Sequence, residues 1–67
     1  MSKELALKFR LERVAKEQTI EDASVHSGVS TVTIYKIEKG YEVNLKTLRK
    51  YASYYGKTIN ITLEWNK

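Results

Sequence analysis

The chain has 67 residues, 12 of them basic and 8 acidic, for a net charge of +4, with no cysteine, no proline and one histidine. That length supports one domain, and a domain this small buries only about 60% of its unfolded surface, so a second copy is an expected source of stability. A disulfide framework and a cysteine-ligated metal site are excluded, no apolar run reaches the roughly 18 residues of a membrane span, and no leader peptide is visible. The expectation is a cytoplasmic protein without metal or cofactor, whose basic balance suits a polyanionic partner.

Residues 2–17 read as a first helix, capped by Ser2, free of Gly and Pro and rich in good helix formers. Its apolar residues form two groups. Leu7, Leu11 and Val14 share one face, and Leu5 and Phe9 share nearly the opposite one. Burial on two sides is the expectation; the alternative is that one group forms an interface. Thr19 and Asp22 then have capping-box spacing, so a second helix starts at Ile20 and runs to Ser27. Ala23 is small, as two closely crossing helices require. His26, alone near the helix end, reads as solvated.

Ser27-Gly28-Val29 turns the chain, because Gly28 adopts positive φ without penalty. Ser30 caps a third helix, Thr31 to Lys39, and Gly40 ends it. Two short helices joined by such a turn make a helix-turn-helix. Ile34 and Ile37 face inward, with Val29 plugging the turn. Thr31, Val32, Tyr35 and Lys36 lie on the other face, where a hydroxyl, methyl groups, a phenol and a cation have the chemistry to meet base edges in a major groove.

Tyr41-Glu42-Val43 is a short connection. Asn44 caps a fourth helix from Leu45 to about Tyr55, stopped by Gly56. Leu45, Leu48, Ala52 and Tyr55 form its core stripe, flanked by Tyr51 and Tyr54. From Lys57 to Asn66 the period changes to two. Ile59, Ile61, Leu63 and Trp65 alternate with Thr58, Asn60, Thr62 and Glu64, the pattern of a half-buried strand. With no second strand evident, its unpaired edge points to pairing with the same strand of a second copy, and Ile59, Ile61, Leu63 and Trp65 become the dimer interface. Residues 1–56 then form the binding domain and 57–67 the dimerisation segment.

The residues Thr19, Ala23, Gly28-Val29-Ser30, Thr33-Ile34 and Ile37-Glu38-Lys39-Gly40, followed by Asn44-Leu45-Lys46-Thr47-Leu48 and Tyr51-Ala52, resemble the Cro/repressor-like (XRE-type) helix-turn-helix DNA-binding family. The resemblance covers roughly residues 5–56. It implies a mainly α protein, a compact bundle of four, or five, short helices; the C-terminal strand pairing across a dimer is expected from the alternating pattern and not from the family. It implies that Phe9 and Val14 are core and that Arg13 bridges to Glu38 as a structural ion pair. It also implies that Thr31, Val32, Tyr35 and Lys36 read bases, while Thr19, Thr33, Lys39, Tyr41 and Lys46 hold phosphates. Two positions depart from the family. Ile20 stands where glutamine is frequent, and Glu12 where an apolar residue is usual.

The resulting expectation is a sequence-specific regulator of transcription, a repressor binding double-stranded DNA as a homodimer on a near-palindromic operator. The alternative is a protein-interaction module, such as an antitoxin gripping a toxin through Ile59, Ile61, Leu63, Trp65 and the Leu5/Phe9 pair. An enzyme is not expected, because the sequence offers no nucleophile–base pair and no phosphate loop.

Overall fold

A computed structural model describes residues 1–59 in full and residues 65–66 as backbone. Its elements are α1 (Lys3–Ala15), α2 (Ile20–Ser27), α3 (Thr31–Lys39), α4 (Leu45–Tyr54), β1 (Thr58–Ile59) and β2 (Trp65–Asn66). Each helix start is capped by the residue whose short polar side chain announces it. Ser2, Thr19 and Ser30 accept from the backbone N–H three residues on, and the Asn44 side chain accepts from both Lys46 and Thr47.

The helix ends follow from backbone freedom. Gly28 sits at φ +79° and Gly40 at φ +83°, in the left-handed region. A Cβ on Gly28 would also meet Lys50 Nζ at 3.3 Å. The end of α1 is less conventional. Glu17 takes φ +57° with no glycine to ease it, and its N–H donates to Val14 O at 2.9 Å.

α1 and α2 both pack on α3, and α4 closes the core from below. Phe9, Ala23, Ile34, Ile37, Tyr51 and Ala52 are fully buried, with Leu5, Val29, Leu48, Tyr55 and Ile59 around them. Tyr51 is the hub of an aromatic cluster. Its ring stacks on Phe9 with centroids 5.5 Å apart and meets Tyr55 edge-on at 5.0 Å. The two phenols share a 2.7 Å hydrogen bond, so neither buried hydroxyl is orphaned.

Four expectations are corrected here. Leu7, Leu11 and Val14 are 53%, 56% and 51% exposed, because the other helices cover only the Leu5–Phe9 side of α1. Val14 is therefore not core. Leu5 and Phe9 are buried, which removes them as a grip for a partner. On α4 the stripe is rotated toward Tyr51, and Leu45 is left 41% exposed at the first turn. Finally, the alternating tail is not one strand. Its two ends pair antiparallel within the chain, Thr58 with Asn66 and Ile59 with Trp65. A period of two reports which face is apolar and is silent about where the backbone partner comes from. Ile59, expected at a dimer interface, is packed into the chain's own core. Ile61 and Leu63 lie outside the described residues, as does the Trp65 side chain.

Phe9→Ala is expected to lower unfolding free energy by about 3–5 kcal/mol, whereas Leu11→Ala stays within about 0.5 kcal/mol in the monomer. Urea unfolding at low protein concentration measures both. Burial, and then the hydrogen bond from Tyr55, raise the Tyr51 phenol, and burial raises that of Tyr55. An unfolded tyrosine ionises near pH 10, so the folded state keeps protons that the unfolded chain releases. This stabilisation is complete below about pH 10 and is lost as pH climbs above it. In the same unfolding experiment repeated at about pH 8 and about pH 11, Tyr51→Phe is expected to lose less stability between the two than the parent chain.

Candidate nucleic-acid interface

α3 is fixed about its own axis by Ile34 and Ile37, both fully buried. Successive helical side chains are 100° apart, so Val32, Tyr35 and Lys36 fall on the side of α3 away from that pair, Thr31 lies at its margin, and Thr33 and Glu38 flank the buried side. Thr31, Val32, Tyr35 and Lys36 are all exposed, Val32 at 63% and Tyr35 at 50%. The four residues expected to read bases thus share one open face of one rigid element.

A single guanidinium holds that element in place. Arg13 of α1 donates from Nε to Glu38 Oε2 at 2.7 Å and from Nη2 to Glu38 Oε1 at 2.9 Å. Its Nη1 donates to the Gln18 carbonyl at 2.8 Å. The side chains are only 14% and 8% exposed, so this bidentate pair is shielded from water. The hydrogen bond to Glu38 holds the Arg13 pKa above its ordinary value. The expected ion pair is present, and it ties α1, the α1–α2 connection and α3 together.

Two hollows border the exposed face. One, of about 540 Å³, opens between the starts of α2 and α3 and is lined by Thr19, Ile20, Glu21, Thr31, Val32 and Tyr35, with Arg13. The other, of about 230 Å³, lies between α1 and α3 and is lined by Arg10, Arg13, Ile20, Tyr35, Glu38 and Lys39. Tyr35 borders both. Lys39 Nζ stands 5.4 Å from the Tyr35 ring centroid, within cation–π range. Arg10 and Glu21 line these hollows although the sequence reading did not place them at this surface. Arg10 precedes Arg13 by three, one helical turn, but nothing in the sequence separates it from Lys8 or Lys16.

The residues expected to hold phosphates are less uniform. Lys39, Tyr41 and Lys46 are exposed around the C-terminal end of α3 and the loop after it. Thr33 is half-buried, and its Oγ1 accepts from Ser30 Oγ at 2.9 Å. Thr19 is exposed, but its N–H already donates to Asp22 Oδ2 at 3.1 Å and its Oγ1 accepts from the Asp22 N–H at 3.0 Å. Only the Thr19 hydroxyl proton is left for a ligand, and the backbone amide is taken. Glu42 accepts at 2.8 Å from the amino terminus, and the ammonium draws its carboxyl below the usual range. Among the described residues no His/Cys/Asp/Glu group is arranged to hold a metal ion, and no helix is long and apolar enough to cross a membrane.

Four short helices, a glycine turn between α2 and α3, and an outward α3 face backed by a buried one define a helix-turn-helix protein. The family model described as helix-turn-helix matches residues 9–61, most of the chain. The chain belongs to the Cro/C1-type helix-turn-helix family, whose members are DNA-binding transcription regulators. No curated protein and no solved structure matches it.

Removing either member of the Arg13–Glu38 pair leaves the other shielded and uncompensated. Arg13→Ala and Glu38→Ala are each expected to cost on the order of 3 kcal/mol. The double variant is expected to cost clearly less than the sum of the two. A double-mutant cycle from urea unfolding gives the coupling directly.

Proposed function

We propose that the protein is a sequence-specific repressor that binds a near-palindromic operator as a homodimer in the cytoplasm. The observation that carries this reading is the exposed quartet Thr31, Val32, Tyr35 and Lys36 on a helix locked from behind by Ile34, Ile37 and the Arg13–Glu38 pair. In a major groove, Val32 meets a thymine methyl, Lys36 a guanine edge, and Thr31 and Tyr35 offer hydroxyls. Thr19, Thr33, Lys39, Tyr41 and Lys46 position the helix on phosphates. A dimer sets two such helices about 34–36 Å apart, one turn of duplex.

Residues 57–67 remain the proposed dimerisation segment, through Ile61, Leu63 and Trp65, since the Ile59 side chain is spent on the core. A second reading, an antitoxin-like module binding another protein, is favoured by one observation. Leu7, Leu11 and Val14 form an apolar stripe along α1 that no element among the described residues covers. Sedimentation of the purified protein separates the two. A discrete homodimer with no exposed apolar patch supports the first and counts against the second, which does not itself exclude DNA binding.

Binding to duplex from upstream of the protein's own gene tests the reading face. Tyr35→Ala and Lys36→Ala are each expected to cut discrimination between that site and a scrambled duplex by about 1–3 kcal/mol. Lys46→Ala is expected to weaken both duplexes alike. Unchanged sequence preference in both Tyr35→Ala and Lys36→Ala would overturn the assignment of the face.

A further inference from the structure

The hollow between α1 and α3 is rich in positive charge that the fold itself does not use. Three cations line it, Arg10, Arg13 and Lys39, against one carboxylate, Glu38. Glu38 is engaged through both oxygens by Arg13, and each of the three nitrogens of Arg13 donates one hydrogen bond, to Glu38 or to the Gln18 carbonyl. That pair closes on itself and contributes little net charge. Arg10 and Lys39 are left. Both are exposed, and neither makes a hydrogen bond or ion pair among the described residues. Lys39 is held beside the Tyr35 ring instead, with Nζ 5.4 Å from its centroid.

Two uncompensated cations on opposite walls of a hollow of about 230 Å³ set up a site for a singly charged anion with several acceptor oxygens. Tyr35 forms part of the same wall and faces outward with the base-reading residues. An anion seated there is therefore immediately beside the groove that α3 would enter.

We propose that Arg10 and Lys39 together clamp one phosphodiester of the duplex in this hollow, making Arg10 of α1 a DNA-contacting residue alongside the helix-turn-helix itself. This rests on the duplex-binding reading above. The guanidinium offers two parallel N–H donors to the two non-bridging oxygens, and the Lys39 ammonium adds a point charge from the other side. With Lys39 drawn toward the phosphate, its contact with Tyr35 fixes the phenol at the edge of the groove. Arg10 thus supplies affinity without sequence information and helps orient the residue that supplies discrimination.

The test measures affinity for a specific and a scrambled duplex over a range of salt concentrations, for the parent chain, Arg10→Ala, Arg10→Lys and Arg49→Ala. Arg49 is an exposed cation bordering a different hollow, with Lys57. Each phosphate contact contributes about 0.9 to the slope of log affinity against log salt. Arg10→Ala is expected to flatten that slope by about one for each half-site bound and to weaken both duplexes by the same factor. Arg10→Lys restores part of the affinity, and Arg49→Ala leaves the slope unchanged. Thermal melting of Arg10→Ala is expected to match the parent, since the exposed Arg10 side chain makes no hydrogen bond or ion pair among the described residues. A slope unchanged in Arg10→Ala overturns the clamp while leaving duplex binding intact. An equal flattening in Arg49→Ala also overturns it, because the effect is then one of overall charge. A parent chain that binds neither duplex at low salt removes the duplex-binding reading first, and the clamp with it.

Discussion

The arrangement of this molecule depends on one guanidinium. Arg13 spans three segments by satisfying both oxygens of Glu38 near the end of α3 and the carbonyl of Gln18 before α2. Apolar packing of Ile34 and Ile37 turns one side of α3 to the core. The forked, planar geometry of the arginine–carboxylate pair is directional, and it pins the roll of α3 that this packing allows. A roll of one residue, 100°, would exchange the exposed quartet for a different face. The exposed face of α3 is therefore defined jointly by its buried isoleucines and a directional ion pair.

The same pair explains why the bundle tolerates a departure at the end of α1. Glu17 adopts a left-handed backbone that an L side chain enters at a cost of order 1 kcal/mol. The Gln18 carbonyl, next in the chain, is then presented to Arg13 Nη1, and the Gln18 side chain accepts from the Tyr54 hydroxyl at 2.9 Å. Those two contacts, one to α1 and one to α4, offset the strained residue and fix the connection into α2.

Local chemistry was legible in the sequence, and tertiary coverage was not. Ser2, Thr19, Ser30 and Asn44 cap helices because a short polar side chain reaches an amide two or three residues away, which needs no knowledge of the rest of the fold. Gly28 and Gly40 are equally local. The face of α1 was harder. Leu7, Leu11 and Val14 are spaced like core residues, and only the placement of the other helices shows that nothing among the described residues covers them. Tyr51 was read as a flank of α4 and proves to be the centre of the core. A phenol can be buried when another phenol supplies its hydrogen bond, and Tyr55 one turn later does so. The ends of the tail pair with each other, a choice that alternation alone cannot report. At the candidate site, the exposure of Thr31, Val32, Tyr35 and Lys36 followed from helical geometry once Ile34 and Ile37 were inside. The places of Arg10 and Glu21 did not, because they depend on how three helices converge.

The start of α2 shows why charge must be supplied from elsewhere on this surface. A helix N-terminus offers free amides to an anion, yet here Asp22 takes the Thr19 amide to complete the capping box. Its carboxylate, with Glu21 beside it, places two negative charges in the first turn of the helix. Both features stabilise α2 as a helix, by satisfying an orphan donor and by complementing the macrodipole. Both also make that end a poorer seat for a phosphate, since an approaching phosphate meets two like charges and one fewer donor. The opposite wall of α3 has the reverse balance, with Lys39 and Arg10 making no ion pair among the described residues and the nearby carboxylate of Glu38 already engaged by Arg13. On electrostatic grounds the α1–α3 side suits an anion better than the surface near Thr19, which borders the hollow lined by Ile20, Val32 and Tyr35.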